Sequence, residues 1–442
     1  MPDQHRFDWL GLNPNIPIRT PFIDALAARG VRFTQAVCAS PVCAPSRACL
    51  ASGKEYDNCR VSGNGDDYPL DQTTFYQLMR DVGYHTMGCG KFDLHKATEF
   101  WELDGSRLIS SWGFVAGIDN AGKWDAIRSG SIEPKDPYMG HLHATNRAQT
   151  HIDDFTARRA PKNFSNTRPT PLVEESYCDN WISTNGLNLL KEAPADKPWF
   201  LQVNWAGPHE PLDITETMDP WYRRETDFPQ PNQNDQFSAR THTRIRQNYS
   251  SMIENLDKWC QEFIDEVERR GELDNTIIIF SSDHGEMLGD HNHWMKNRPF
   301  QPSVGVPLIV AGPGVKQGVV SDALVSVMDI AATCVDYAGA EVPADMDSRS
   351  MRPVLEGQTS SHREVLLSGL NPWRMAFDGQ YKLVRGYDLE LQGYYTADKL
   401  PAYRDVMHQV VVFDMLEDPL ENVNIADKAP EVVERLTPHL RA

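Results

Sequence analysis

An α/β fold with a large, mostly parallel sheet flanked by helices, followed by a smaller antiparallel α+β unit, is predicted by three features of the chain. Short apolar runs bounded by turn residues alternate with helical stretches through most of its length. Two of these runs, Pro198–Trp205 and Thr276–Ser281, are apolar on both faces, as strands covered on both sides should be. From about Ser360 the pattern changes to short strands separated by turn residues. The expected division is an α/β domain over 1–355 and an α+β subdomain over 356–442.

In chain order, Thr20 reads as an N-cap with Pro21 at the first helical position, and the helix Phe22–Arg29 stops at Gly30. Val31–Val37 is a strand. Pro45 opens a short helix that ends at Gly53. Thr74–Val82 is helical with Gly83 as its stop, and Tyr84–Cys89 is the next strand. The segment Asp104–Thr170, rich in Gly, Asp, His and Arg and weakly periodic, reads as long loops over one face. A long amphipathic helix, Asn248–Arg270, precedes the strand Thr276–Ser281. Val306–Ala311 is a further strand and Met328–Ala338 a helix. In the C-terminal part, Val365–Ser368, Arg374–Phe377, Tyr381–Val384 and Val410–Asp414 read as strands, with Asp378-Gly379 as a hairpin turn. Pro430–Leu440 closes the chain as a helix.

Composition narrows the function classes. Of 442 residues, 40% are hydrophobic and 24% charged, which is ordinary for a globular protein. No run of 18 apolar residues marks a membrane-spanning helix. The net charge of −19 argues against nucleic acid as a partner. It also repels anionic substrates at long range, so an anion site has to be a basic pocket inside an acidic shell. The eight cysteines lack zinc-ligand spacing and read as scattered thiols, with one disulfide among the four between Cys38 and Cys59 as the alternative. Pro2–Arg6 is polar and carries no signal-peptide pattern, which leaves the compartment open.

Five short motifs carry chemistry. Cys43-Ala44-Pro45-Ser46-Arg47 puts a nucleophile just ahead of a proline-initiated helix, where free N–H groups and the helix dipole favour an anion. Arg47, one turn on, returns a forked donor to the same spot. By itself the segment also reads as a buried cysteine at a helix start. Ser282-Asp283-His284-Gly285-Glu286 follows an apolar strand and offers a carboxylate and an imidazole. Gly90-Lys91-Phe92-Asp93-Leu94-His95 and Gly207-Pro208-His209-Glu210-Pro211 also follow strands. Gly289-Asp290-His291 leads to Trp294-Met295-Lys296-Asn297. Sites in open parallel sheets gather beyond the carboxyl ends of strands, and three of these motifs stand there.

The run from Cys43 to Gly53 resembles the signature of the formylglycine-dependent (type I) sulfatases of the alkaline phosphatase superfamily. The likeness extends through Asp3-Gln4-His5-Arg6, the Lys91 and His209 elements, Lys296, Val306–Gly314 and Asp418–Asn422. It implies an alkaline phosphatase-like fold and a sulfuric ester hydrolase. Cys43 is then oxidised to formylglycine by a dedicated formylglycine-forming oxidase. The chemistry favours that change: a thiol would be left as a stable adduct, whereas a hydrated aldehyde offers one hydroxyl to attack and a second to expel the product. The resemblance further implies one divalent metal held by Asp3, Gln4, Cys43, Asp283 and His284, with Ca²⁺ the family default and Mg²⁺ or Mn²⁺ compatible. Arg47, Lys91 and Lys296 are then sulfate contacts, His209 the acid facing the leaving group, and His95 the base. Asp93 stands where the family has its histidine, so it is an alternative to His95. In the family an apolar strand, central in the sheet, precedes the Asp3 segment, so the resemblance implies that the chain starts short of it.

The expected substrate is a sulfate monoester, with sulfated carbohydrate or polysaccharide fragments preferred. Two alternatives stay open. One is a phosphonate monoester or phosphodiester hydrolase on the same scaffold. The other is an inactive relative that only binds sulfated glycans, against which the intact Cys43–Arg47 motif argues.

Overall fold

The computed structural model describes residues 1–158, 163–218, 228–390 and 409–440. Its first layer holds two sheets. One has the order β5-β6-β1-β7, formed by β1 (Gly30–Val37), β5 (Ile278–Ser281), β6 (Leu308–Ala311) and β7 (Val319–Ser326). Here β1 runs parallel to β7, whereas β6 is antiparallel to both β1 and β5. The other sheet, β3-β2-β4, is wholly parallel: β2 (His85–Gly90) lies between β3 (Ala116–Asp119) and β4 (Trp199–Asn204). The C-terminal sheet is antiparallel, in the order β11-β10-β9-β8, from β8 (Leu366–Leu370), β9 (Trp373–Phe377), β10 (Tyr381–Arg385) and β11 (Val410–Asp414). The expected fold class therefore holds, with β6 as an antiparallel strand inside the larger layer.

Local chemistry sets the helix ends. Pro21 opens α1 (Pro21–Ala28). The helix α2 (Cys43–Ser52) starts two residues earlier than Pro45, so Cys43 is its first residue rather than a residue ahead of it. Gly53 ends it with φ 65°, the left-handed conformation glycine adopts without strain. A reciprocal capping box of Thr74 and Gln77 starts α3 (Phe75–Asp81).

The expectation of long loops over Asp104–Thr170 is corrected. That segment holds α4 (Ile109–Trp112), β3, α5 (Trp124–Gly130), α6 (Pro137–Ala144) and α7 (Ala148–Arg158); residues 159–162 lie outside the described part. Periodicity is weak there because the inner face of α7 is polar. His151, Asp154 and Arg158 are buried, the last two as an ion pair of 2.9 Å. Two further elements had no strong sequence signal, α8 (Cys178–Glu192) and β7. The long helix α9 spans Ala239–Arg269, nine residues earlier than expected, because the Ser238 side chain accepts the Thr241 N–H at its start. After it come α10 (Gln301–Val304), α11 (Asp329–Tyr337), α12 (Arg352–Leu355) and α13 (Pro430–Leu436).

The main core is continuous from the first layer into the C-terminal sheet. Val31, Phe33, Leu308, Val325, Met375 and Phe413 belong to one buried cluster. All eight cysteines are free thiols, as expected. Among the described residues no helix is long and apolar enough to cross a membrane.

Candidate active site

The site is assembled from chain segments that leave the ends of strands. Past the end of β4, the Asp3 N–H donates to Gly207 O at 3.1 Å. The Ser282 hydroxyl, just past β5, donates to Pro2 O at 3.1 Å and accepts the His5 N–H at 2.9 Å. The Tyr249 hydroxyl of α9 donates to Gln4 O at 2.6 Å. These bonds hold Asp3 and Gln4 against Asp283 and His284. On β2, Gly90 (φ 109°) permits close approach to β4: a Cβ there would lie 2.0 Å from Asn204 O. That approach delivers Lys91 to the same place.

Asp3, Cys43, Asp283 and His284 are all buried, and one ligand atom from each lies within 4.8 Å of the others. Cys43 Sγ is 3.3 Å from His284 Nε2 and 3.6 Å from Asp3 Oδ1. His284 Nε2 is 3.7 Å from Asp283 Oδ2. Two carboxylates and an imidazole converging on residue 43 form a compact, mostly hard donor set. Its chemistry fits one divalent cation of the Mg²⁺, Mn²⁺ or Ca²⁺ type. Gln4 stands beside this set, with its Oε1 accepting from Lys296 Nζ at 2.5 Å and its Nε2 donating to Glu210 at 2.9 Å and to Glu286.

Three buried cations surround the carboxylates. Arg47 Nε donates to Asp283 Oδ2 at 2.9 Å, and Arg47 Nη2 lies 3.3 Å from Asp3 Oδ2. Lys91 Nζ is 2.5 Å from Asp3 Oδ2 and 3.0 Å from Asp93 Oδ2. Lys296 Nζ is 2.6 Å from His209 Nε2. Buried charges survive only when paired, and this one cluster balances them. Burial works against ionising Asp3, yet Lys91, then His209 and Arg47, hold its carboxyl well below the usual range. Burial and Asp3 push the Cys43 thiol up, but Lys296, Lys91 and His284 outweigh them and favour its ionised form.

A cavity of about 540 Å³ reaches this cluster from outside and is lined by Lys91, His209, Lys296, Lys123, Trp124 and Asn371. It brings Lys91, His209 and Lys296 to one opening. His95 stands apart from them. Its Nε2 is 2.7 Å from Asp119 Oδ2 and its Nδ1 3.1 Å from Arg107 Nη1, so both ring nitrogens are used away from Cys43. The cause is local: Asp93 has φ 55°, which turns the chain and sends His95 under Trp101 and Trp112. Asp93 keeps the position near the site instead. Its Oδ2 meets Lys91 and Lys96, and its Oδ1 is buried with no hydrogen-bond partner.

Sequence reasoning singled out neither Glu210 nor Glu286, although both lie inside quoted motifs. It also missed Asp179 of α8, which accepts the Ala206 and Gly207 N–H groups at 2.8 and 2.9 Å and so fixes the loop carrying His209. No local pattern could have flagged Asp179.

Comparison with known proteins follows this geometry. The Sulfatase family model matches residues 1–340, and the model of the N-sulphoglucosamine sulphohydrolase C-terminal region matches residues 289–442. The chain is 28% identical over 390 residues to an arylsulfatase of Clostridium perfringens, covering 83% of this chain and 79% of that one. It is 25% identical over 481 residues to an N-acetylglucosamine-6-O-sulfatase of Bacteroides thetaiotaomicron, covering 97% and 82%. In fold it resembles the phosphonate monoester hydrolase of Agrobacterium radiobacter, with a TM-score of 0.78, 21% identity, and coverage of 99% and 92%.

Proposed function

Because the chain belongs to the sulfatase family and is a sulfuric ester hydrolase, we propose that it cleaves sulfate monoesters of carbohydrates, with residue 43, oxidised from cysteine to formylglycine, as nucleophile. The observation that carries this reading is the convergence on residue 43 of Asp3, Asp283 and His284 on one side and Arg47, Lys91 and Lys296 on the other. The sulfated-sugar preference is supported by the relative named as an N-acetylglucosamine-6-O-sulfatase.

Asp3, Asp283, His284 and residue 43, with Gln4 beside them, would hold a divalent ion, which would supply Lewis acidity at a sulfate oxygen. Hydrated formylglycine would supply one hydroxyl to attack sulfur as the substrate alcohol leaves, and a second whose deprotonation would re-form the aldehyde and expel sulfate together with the first oxygen. The chain's own residues do the rest. Arg47, Lys91 and Lys296 point donors at the sulfate oxygens, where negative charge builds as the ester bond breaks. His209, which lines the cavity and contacts Lys296, gives a proton to the departing alcohol oxygen. The proton of the second hydroxyl goes to Asp93, whose Oδ1 is free of hydrogen bonds, in place of His95. Lys91, held between Asp3 and Asp93, keeps this carboxylate next to the sulfate pocket.

The test is a screen for sulfate release from defined sulfated sugars, with an aryl sulfate and phenyl phosphonate as reference substrates. The protein is co-expressed with a formylglycine-forming oxidase. The reading expects turnover of the aryl sulfate and of at least one sulfated sugar, both well above that of the phosphonate. Faster phosphonate than sulfate turnover would overturn it in favour of the phosphonate hydrolase.

A further inference from the structure

The turn between β3 and α5 touches two members of the site at once. The Asn120 N–H donates to Gly90 O at 3.1 Å, and Asn120 Oδ1 accepts the Gly122 N–H at 2.8 Å. Asp136, just ahead of α6, accepts the Ala121 N–H at 3.1 Å. These bonds hold the turn beside the end of β2. Gly122 has φ 74°, and a Cβ there would lie 2.9 Å from Lys91 Cδ. Its bare backbone is thus a wall for the Lys91 stem. The next residue, Lys123, reaches the loop that carries His209.

Lys123 Nζ donates to His209 O at 2.8 Å, to Pro211 O at 3.1 Å and to Asp213 Oδ1 at 2.7 Å. An ammonium has three N–H donors, and these partners use all of them. Lys123 lies on the wall of the cavity of about 540 Å³, yet only 2% of its side chain is exposed. It has no donor left for a sulfate oxygen or a sugar hydroxyl. Its effect on the reaction therefore has to pass through the loop.

The two carbonyls it holds bear on the proton that His209 gives. His209 Nδ1 lies 2.7 Å from Glu210 O, and a carbonyl only accepts, so Nδ1 carries a hydrogen. The other ring nitrogen, Nε2, meets Lys296 Nζ at 2.6 Å. A histidine ring is oriented by the bond its second nitrogen makes. Here that bond depends on the direction of the Glu210 carbonyl. The carbonyls on either side of it along the chain, His209 O and Pro211 O, are the two tied to Lys123.

We propose that Lys123 is a positioning residue for His209: by fixing the His209 and Pro211 carbonyls it aims Nε2 at the leaving alcohol oxygen. This rests on the reading of His209 as the acid that protonates that oxygen. Aim matters little for a phenolate that departs readily and much for a basic leaving oxygen such as that of a sugar. A misplacement of about 1 Å can cost about 10²-fold in rate.

The experiment follows a series of phenyl sulfates of graded leaving ability, from 4-nitrophenyl sulfate to phenyl sulfate. Wild type, His209→Gln, Lys123→Met and Gly122→Ala are compared, each co-expressed with the oxidase. Lys123→Met should lose about 10²-fold in kcat on phenyl sulfate but less than about tenfold on 4-nitrophenyl sulfate, the same trend as His209→Gln. Gly122→Ala, which displaces Lys91 rather than His209, should lose the same factor on every ester. Lys123→Met leaves Asp213 buried without its cation, which can prevent folding. In that case Lys123→Met/Asp213→Asn removes both charges and should show the same graded loss. A loss that is equal across the series, or no loss, in the Lys123 variants overturns the proposal. A flat profile for His209→Gln itself overturns the assignment of the acid, and the proposal falls with it.

Discussion

At residue 43, a small side chain sits among groups whose charges would be costly if any one were removed. Cys43, Asp3, Asp283 and His284 crowd together, with Arg47, Lys91 and Lys296 around them. The sequence motifs located most of these residues because each directly follows a strand or opens a helix, where direction is set locally. His95 shows where that reasoning fails. Two residues after Asp93, it reads as the histidine of its motif, but the positive φ of Asp93 turns it onto Asp119. No spacing rule in the segment reports that turn. The assignment of Asp93 as base makes a direct prediction. Asp93→Asn should lower kcat on an aryl sulfate by about 10²–10³, with the metal content unchanged. His95→Gln should cost less than about tenfold in kcat and act through stability, because the Asp119 contact is lost. A larger kcat loss for His95→Gln than for Asp93→Asn would return the role to His95.

At the scale of elements, strands and helices with strong apolar periodicity were legible, and those with polar inner faces were not. β1, β6, α3 and α11 lie within a few residues of their sequence positions. α7 escaped because a buried Asp154–Arg158 pair replaces its apolar stripe. β7 escaped because its first half is largely exposed, with Val319, Val320 and Asp322 facing outward. The contact of α9 with α1 carries a pH dependence. Asp257 of α9 accepts the Ile23 N–H at 2.7 Å and the Phe22 N–H at 3.3 Å at the start of α1. Burial nevertheless raises its pKa to about 7, with Asp24 and Glu254 adding to the rise. A carboxyl raised on folding favours its protonated form in the native state. Its contribution is therefore fully present below the unfolded value of about 3.9 and is lost as pH rises through about 7. Wild-type protein should lose up to about 4 kcal/mol from this source between those limits. Asp257→Asn should flatten the loss in denaturant melts taken at pH 4, 6 and 8.

For the whole molecule, the C-terminal sheet is tied into the first layer rather than appended to it. Lys382 Nζ of β10 meets Glu421 Oε1 at 2.7 Å and Gln301 Oε1 of α10 at 3.0 Å, and the Gln301 N–H donates to Glu421 Oε2 at 2.6 Å. Arg363 pairs with Asp329 of α11, and the Gly369 N–H donates to Ala39 O at 3.1 Å. We propose that the regions 1–355 and 356–442 fold as one cooperative unit. Lys382→Met leaves Glu421 buried without its cation and should cost about 3–5 kcal/mol in urea unfolding. It should shift a single transition rather than expose a second one. Two separated transitions would show independent units. The Asp418–Asn422 stretch was legible as a motif, but its partner Lys382 was not, because a lysine after a hairpin turn ordinarily points to solvent.

The central claim is that residue 43 performs the chemistry as formylglycine, and one paired measurement addresses it. Protein co-expressed with the oxidase is digested, and the mass of the peptide holding residue 43 is determined alongside aryl sulfate turnover. The modified fraction should be lighter by the change from a thiol-bearing side chain to an aldehyde. Activity should rise in proportion to that fraction and vanish in Cys43→Ala. Full activity from protein whose Cys43 is entirely unmodified would contradict the account.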